Sequence, residues 1–153
     1  MPTTRRQFLS LAGSVTAAGT IPIITLRPLE ATPAMLTTAI RNVVGEAQIR
    51  TGKVKLDIPP LVENGNTVPL SIAVDSPMTE ADHVQRIAVF NERNPLPNVI
   101  TVDLGPRAGA ARIATHIRLA TSQRILALAV MSDGSVWSDS AEVIVTLAAC
   151  VEG

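Results

Sequence analysis

One residue in the chain has chemistry that its surroundings single out. Cys150 is the lone cysteine of the 153-residue sequence, and it follows the apolar run Glu142-Val143-Ile144-Val145-Thr146-Leu147 through two alanines. That run reads as a buried β-strand. The small residues after it read as a tail, so the thiol sits at the tip of a short tether. Leu147 to Cys150 spans at most about 10 Å when extended. The alternative is a core position, because free cysteine packs as a small hydrophobe. An ordinary thiol titrates near about 8.5 and is only slightly ionised at neutral pH. Glu152 nearby disfavours the thiolate further. An accessible thiol that is not activated suits a handle on which other proteins act.

The remaining candidates are weaker. His83 and His116 stand alone, with no partner at metal-ligand spacing, and a zinc site wants three or four ligands. His116 alternates with arginines on a polar strand face, and His83 lies in an acidic loop; both read as solvated. Asp75, Glu80 and Asp82 lack the spacing and glycine placement of a calcium loop. Arg107, Arg112 and Arg118 read as strand-edge charges. No nucleophile elbow or glycine-rich phosphate loop is present. The residues therefore suggest no metal, no cofactor and no catalytic set.

The elements that position Cys150 are strands. The composition is 46% apolar but only 2% aromatic, so the core must be built from Val, Ile, Leu and Ala. Formal net charge is zero, without the basic stripe of a nucleic-acid binder. A short helix is expected over residues 35–49, from Leu36, Ile40, Val43 and Val44 at helical spacing. After Gly52 the period becomes two. Val54, Leu56 and Ile58 alternate with charges, then Val68, Leu70, Ile72 and Val74 alternate with small or polar residues. Glu63-Asn64-Gly65-Asn66 between them reads as a turn. Pro69 calls for an edge or an outward position. Further strands are expected over 84–91, 99–104, 112–119, 123–131 and 142–147. Gln123 to Met131 is apolar on both faces, as a central strand is, and Asp133-Gly134 marks a hairpin. Short strands without helical crossovers imply an all-β fold: an immunoglobulin-like antiparallel β-sandwich with a short N-terminal helix.

The first residues carry an address. Arg5 and Arg6, one spacer, then Phe8 and Leu9 form a twin-arginine export signature. An Ala-, Gly- and Thr-rich apolar stretch follows, and Ala31 or Ala34 offers a cleavage point. The expected organisation is a signal peptide over residues 1–34, a sandwich domain over 35–147 and a tail over 148–153. Removing Arg5, Arg6, Arg27 and Glu30 from thirteen residues of each sign leaves a net charge of −2. The implied compartment is the bacterial periplasm, with no membrane span after cleavage. An odd cysteine there points to an intermolecular bond or a reactive thiol.

Several stretches together resemble one family. They are Gly52-Lys53-Val54-Lys55-Leu56, Glu63-Asn64-Gly65-Asn66-Thr67-Val68-Pro69, Ser76-Pro77-Met78-Thr79-Glu80-Ala81-Asp82 and Asn94-Pro95. Arg118-Leu119-Ala120, Met131-Ser132-Asp133-Gly134 with Trp137, and Val145-Thr146 before Cys150 complete the set. Over residues 37–150 the chain resembles SoxY, the carrier subunit of the bacterial sulfur-oxidation (Sox) system. The resemblance implies a sandwich that pairs with a SoxZ-like subunit as a heterodimer. It implies that Cys150 holds thiosulfate and its oxidation intermediates covalently. A haem enzyme (SoxAX) would couple the substrate, a hydrolase (SoxB) would release sulfate, and a sulfane dehydrogenase (SoxCD) would act where present. The carrier itself would turn nothing over. An alternative from the residues alone is a non-catalytic binding or assembly module that uses Cys150 for an intermolecular disulfide. The chain departs from the family in its arm. Ala148, Ala149, Val151 and Glu152 stand where a glycine-rich sequence is expected, and alanine and valine allow the backbone less freedom than glycine.

Overall fold

The computed structural model describes residues 31–147. The arginine motif Arg5, Arg6, Phe8 and Leu9, and Cys150 with its neighbours, lie outside the described residues.

Helix α1 spans Pro33–Val44. The Thr32 side chain caps it by accepting from the Met35 N–H at 3.3 Å, and Pro33 occupies the first turn, where its missing N–H costs nothing. Gly45, at φ 63°, ends it by donating from its N–H to the Arg41 carbonyl at 2.8 Å. The expected helix ran on to residue 49. The glycine stops it earlier, and Ile49–Thr51 becomes strand β1.

Eight further strands follow: β2 Val54–Asp57, β3 Leu61–Asn64, β4 Val68–Val74, β5 Val84–Asn91, β6 Asn98–Asp103, β7 Arg112–Ile117, β8 Gln123–Met131 and β9 Val136–Leu147. They form two sheets. One has the order β1-β9-β8-β5-β6, with β3 also on β9, and the other has the order β2-β4-β7. The expected sandwich is present. Its β5, β6, β8 and β9 ladders are antiparallel, as are those of the second sheet. Two pairings were not expected, because β1 and β3 both run parallel to β9. The chain lays β1 on the first part of β9, crosses to the second sheet as β2, and returns as β3 to the last part of β9. Between the two parallel contacts the Asp139 carboxylate accepts from the Leu56 N–H at 2.8 Å. That bond joins the sheets at the crossover.

Alternation decides which side chains meet. In β4, Val68, Leu70, Ile72 and Val74 are buried while the residues between them face outward. They pack on Ile87 and Val89 of β5, Ile125, Ala127 and Ala129 of β8, and Val143 of β9. Each fully buried aliphatic side chain of this kind contributes about 1.5–3 kcal/mol. Strand β8 lies between β5 and β9, as its two apolar faces required. Its outer face is buried as well: Leu128, with Ala88, Phe90 and Val136, packs under Leu36, Ile40 and Val43 of α1. Pro69 is on the middle strand of its sheet, yet β2 stops at Asp57, opposite Ser71. Pro69 therefore faces a neighbour on one side only, His116 of β7, and its missing N–H breaks no ladder.

Candidate functional site: the root of the C-terminal tail

The tail leaves the sandwich where β9 outruns its neighbour. Strand β8 begins at Gln123, opposite Val143, so Ile144–Leu147 pair only with β3. Local side chains replace the missing ladder. The Ser122 hydroxyl accepts from the Val145 N–H at 2.8 Å, and Thr146 donates from its hydroxyl to the Glu63 carbonyl at 3.2 Å. The Leu147 carbonyl accepts from the Gly65 N–H at 3.0 Å, and the Gly65 carbonyl accepts from the Leu119 N–H at 2.8 Å. The Asn64 side chain closes that turn by accepting from the Asn66 N–H at 2.9 Å. Glu63-Asn64-Gly65-Asn66 is thus half strand and half turn, and it ties the last residue of β9 to the end of β7.

A polar network stiffens the loops at this end. Asn94 donates from Nδ2 to the Arg118 carbonyl at 2.7 Å. Its Oδ1 accepts from the Ala120 N–H at 2.9 Å and from Gln123 Nε2 at 2.8 Å. Gln123, buried at the start of β8, accepts in turn from the Arg93 N–H at 2.9 Å. Buried Asn91 accepts from the Asn94 N–H at 3.1 Å. The Asn94 carbonyl accepts from the Ala31 N–H at 3.2 Å, which brings the chain before α1 to the same end. Three segments far apart in sequence are held against the strand that carries the tail.

On the outer face the tail root is apolar. Leu61 and Ile144 are paired across the β3–β9 ladder, with 59% and 57% of their surfaces exposed. Leu147, three residues beyond Ile144, is also exposed but lies on the opposite face of β9. Beside them Arg124 donates from Nε to Glu142 at 2.8 Å, and this contact holds the guanidinium pKa above its usual value.

The other candidate residues do not converge on this end as a set. His83 lies at the far end of β5. There its N–H donates to the Ser132 hydroxyl at 3.1 Å, and its Nδ1 lies 3.0 Å from the Thr79 carbonyl. The length of β9 separates it from the tail root, roughly 30 Å at 3.3 Å per residue. His116 lies at the tail end, but on the outer face of the second sheet, opposite Pro69. Arg112 and Arg118 bracket β7 from opposite ends, and Arg107 is in the 3₁₀ turn before it, so the three form no single anion site. Among the described residues, no three of His, Cys, Asp and Glu come together in a way that could hold a metal. Sequence reasoning missed the roles of Ser122, Asn94, Gln123 and Leu61. Only Asn94-Pro95 stood out in the sequence, as one of the stretches that carry the family resemblance.

The family model for the sulfur oxidation protein SoxY matches residues 40–150. The chain belongs to the SoxY family. The match runs through the sandwich and reaches Cys150. Among solved structures, the sulfur carrier protein SoxY of Chlorobium limicola f thiosulfatophilum is 24% identical with a TM-score of 0.63, covering 74% of this chain and 98% of that one. Superoxide reductases share the fold at lower identity. The neelaredoxin of Ignicoccus hospitalis is 18% identical with a TM-score of 0.56, over 76% of this chain and 95% of that one. A putative superoxide reductase of Thermotoga maritima is 20% identical with a TM-score of 0.53, over 65% and 93%. Among curated proteins, none matches the sequence. SoxY membership thus rests on the family model. The superoxide reductases add a likeness of fold alone.

Proposed function

We propose that this chain is a periplasmic sulfur carrier that holds thiosulfate and its oxidation intermediates on the Cys150 sulfur and presents them to the Sox enzymes. One observation carries the reading. In a chain of the SoxY family, backbone and side-chain bonds fasten β9 as far as Leu147, three residues before the lone cysteine. A fixed root and a short arm set the thiol at a defined distance from the body.

The chemistry balances without catalysis by the carrier. Coupling joins the Cys150 thiolate to the sulfane sulfur of thiosulfate, giving Cys150–S–S–SO3⁻ and two electrons, which a haem enzyme takes up. Hydrolysis of the terminal S–SO3 bond adds water and releases hydrogensulfate, leaving the persulfide Cys150–S–SH. A SoxZ-like subunit completes the carrier as a heterodimer, and export follows the twin-arginine motif at Arg5 and Arg6.

Intact mass of the protein isolated from periplasm, with and without reductant, tests this reading. Reductant-labile sulfane and thiosulfonate increments are expected on the native chain. None is expected on Cys150→Ala, whose melting curve should match the native one. A bare thiol during growth on reduced sulfur, or only a protein-sized disulfide partner, would replace the carrier reading with that of an assembly module.

A further inference from the structure

The second sheet carries a cleft at the end from which the tail leaves. Strand β2 stops at Asp57, opposite Ser71, while β4 reaches back to Val68. Beyond Asp57 the outer face of β4 and β7 therefore has no third strand beside it. A cavity of about 380 Å³ opens there, lined by Asp57, Pro59, Pro69, Ser71, Ala114 and His116. Its floor is low because Ser71 and Ala114, both small, stand opposite each other across the β4–β7 ladder. Side chains two residues apart on a strand share a face. That places His116 and Arg118, the residue just past the end of β7, on the outer face, and both are exposed. Among the described residues Arg118 makes no ion pair, whereas Arg124, the cation beside Ile144, is held by Glu142.

What reaches this cleft follows from where β9 ends. The Leu147 carbonyl is bonded to Gly65, and the Gly65 carbonyl to the Leu119 N–H. Arg118 precedes Leu119, so its backbone lies within about 12 Å of Leu147 along that path. Cys150 extends at most about 10 Å from Leu147, and two S–S bonds of about 2 Å each carry the sulfonate of a loaded arm to roughly 15 Å. The arm therefore spans the distance to Arg118 and approaches His116. Charge decides which group stays. The loaded arm ends in –S–S–SO3⁻, an anion. Arg118 is a permanent cation with five N–H donors, and an imidazole N–H of His116 donates beside it. Asp57 faces the cleft from the β2 side and repels the sulfonate toward β7. Exposed contacts of this kind are weak, so an enzyme that takes up the arm meets little resistance.

We propose that Arg118 and His116, at the mouth of this cleft, form a resting site for the sulfonate of the loaded arm between its visits to enzymes. The inference rests on the carrier reading of Cys150. It adds a second position for the arm: against β7 while it carries a sulfonate, and released once that group has been removed. While the sulfonate rests there, the S–S bonds behind it lie against the sandwich and away from stray thiols.

The test uses the full chain, loaded chemically. The Cys150 thiolate attacks tetrathionate, displaces thiosulfate and becomes Cys150–S–S–SO3⁻. Methyl methanethiosulfonate gives the neutral adduct Cys150–S–S–CH3, with methanesulfinate as the leaving group. Amide NMR signals of Ala114, His116 and Arg118 are expected to shift with the sulfonate adduct and not with the neutral one. The shifts should vanish in Arg118→Gln/His116→Gln. They should persist in Arg93→Gln, because Arg93 lies at the same end but on the loop bonded to the start of β8. Reduction of the sulfonate adduct by dithiothreitol, followed by intact mass, should be about fivefold faster in the double variant, the change that two exposed charged contacts give. Each single variant should change part of the way. Without a resting site, loss of two donors would slow attack by an anionic thiolate, so the sign of the change separates the site from a general field. No shift on sulfonate loading of the native chain, or slower reduction of the double variant, would overturn the inference and leave the carrier reading standing. Equal shifts with both adducts would assign the contact to Glu152 and overturn it as well. Shifts that grow with protein concentration would overturn it in favour of the arm of a second copy. A native chain that tetrathionate does not load would overturn both readings.

Discussion

The Asn94 side chain ties its own loop to residues 118–123 at the tail end, and replacing it with alanine tests whether that network holds the root. Asn94→Ala removes the bond to the Arg118 carbonyl and the two accepted from the Ala120 N–H and Gln123 Nε2. A part-buried hydrogen bond contributes about 1 kcal/mol net, and a group left unpaired in the interior costs about 1–3 kcal/mol. The Arg118 bond is the more exposed and counts least, because water can replace Asn94 there. The Ala120 N–H bears most of the loss, because Gln123 Nε2 keeps the Thr121 carbonyl as an acceptor at 3.2 Å. Together these give a destabilisation of about 2–3 kcal/mol, or roughly 6–15 °C in melting temperature for a domain of this size. Circular dichroism melts of the chain from Ala31 onward measure it. A second variant, Gln123→Leu, shares the Asn94–Gln123 bond. The costs of the two should therefore fall short of additivity by about 1 kcal/mol in a double-mutant cycle. A shift below about 2 °C for Asn94→Ala, or full additivity, would refute the reasoning and reduce the network to a surface decoration.

Two further outcomes are expected. Gly52 has φ 113°, and a β-carbon there would lie 3.6 Å from the Trp137 ring; Gly52→Ala should cost about 1–3 kcal/mol through backbone strain rather than crowding, and an unchanged melt would contradict this. Asp103 titrates below the usual carboxylate range because the Arg86 guanidinium donates to it. A depressed folded pKa gives stability that is present at neutral pH and is lost as pH falls through that value. Asp103→Asn should therefore flatten the acid limb of stability against pH between neutrality and about pH 2, with little change in its shape above pH 6.

The strands that follow their own hydrophobic period were legible. Val68–Val74 alternates because one face is buried, and Gln123–Met131 is apolar throughout because α1 covers its second face. The strands that exist through a distant partner were not legible. Leu61–Asn64 follows two prolines and runs into Gly65 through Asn64, so its local chemistry signals a turn. It is a strand because β9 extends past the end of β8 and needs a neighbour. Ile49–Thr51 likewise has three residues and no buried one, so it leaves no periodicity to detect. Strand β9 was visible only from Glu142. Its first half, Val136 to Ala141, mixes serine, aspartate and tryptophan, and each has a tertiary reason. Ser138 donates to the Arg50 carbonyl at 3.3 Å, Asp139 accepts from Leu56, and Trp137 stacks beneath Arg50 and Lys53 at 5.8 and 5.3 Å. The same division applies to the site. Cys150 is singled out in the sequence by its type and its place after a strand, and it lies outside the described residues. The clamp at Ser122 and Gly65 was not legible, because each contact joins residues far apart in the chain.

The clamp and the arm have to be read together. A tether of three residues multiplies any motion of its root. If β9 frayed back to Val143, the arm would lengthen from three residues to seven, and its reach would rise from about 10 Å to about 25 Å. Effective concentration at a fixed target falls steeply with tether length once the span is exceeded. The bonds at Val145, Thr146 and Leu147 therefore fix the point from which the arm starts. The alanines of the arm act in the same direction, trading freedom of swing for definition of place. On the carrier reading, an enzyme that must find this thiol meets the body of the sandwich at the same time. A longer or looser arm would separate those two contacts. On that reading, specificity is carried by the fold as much as by the cysteine.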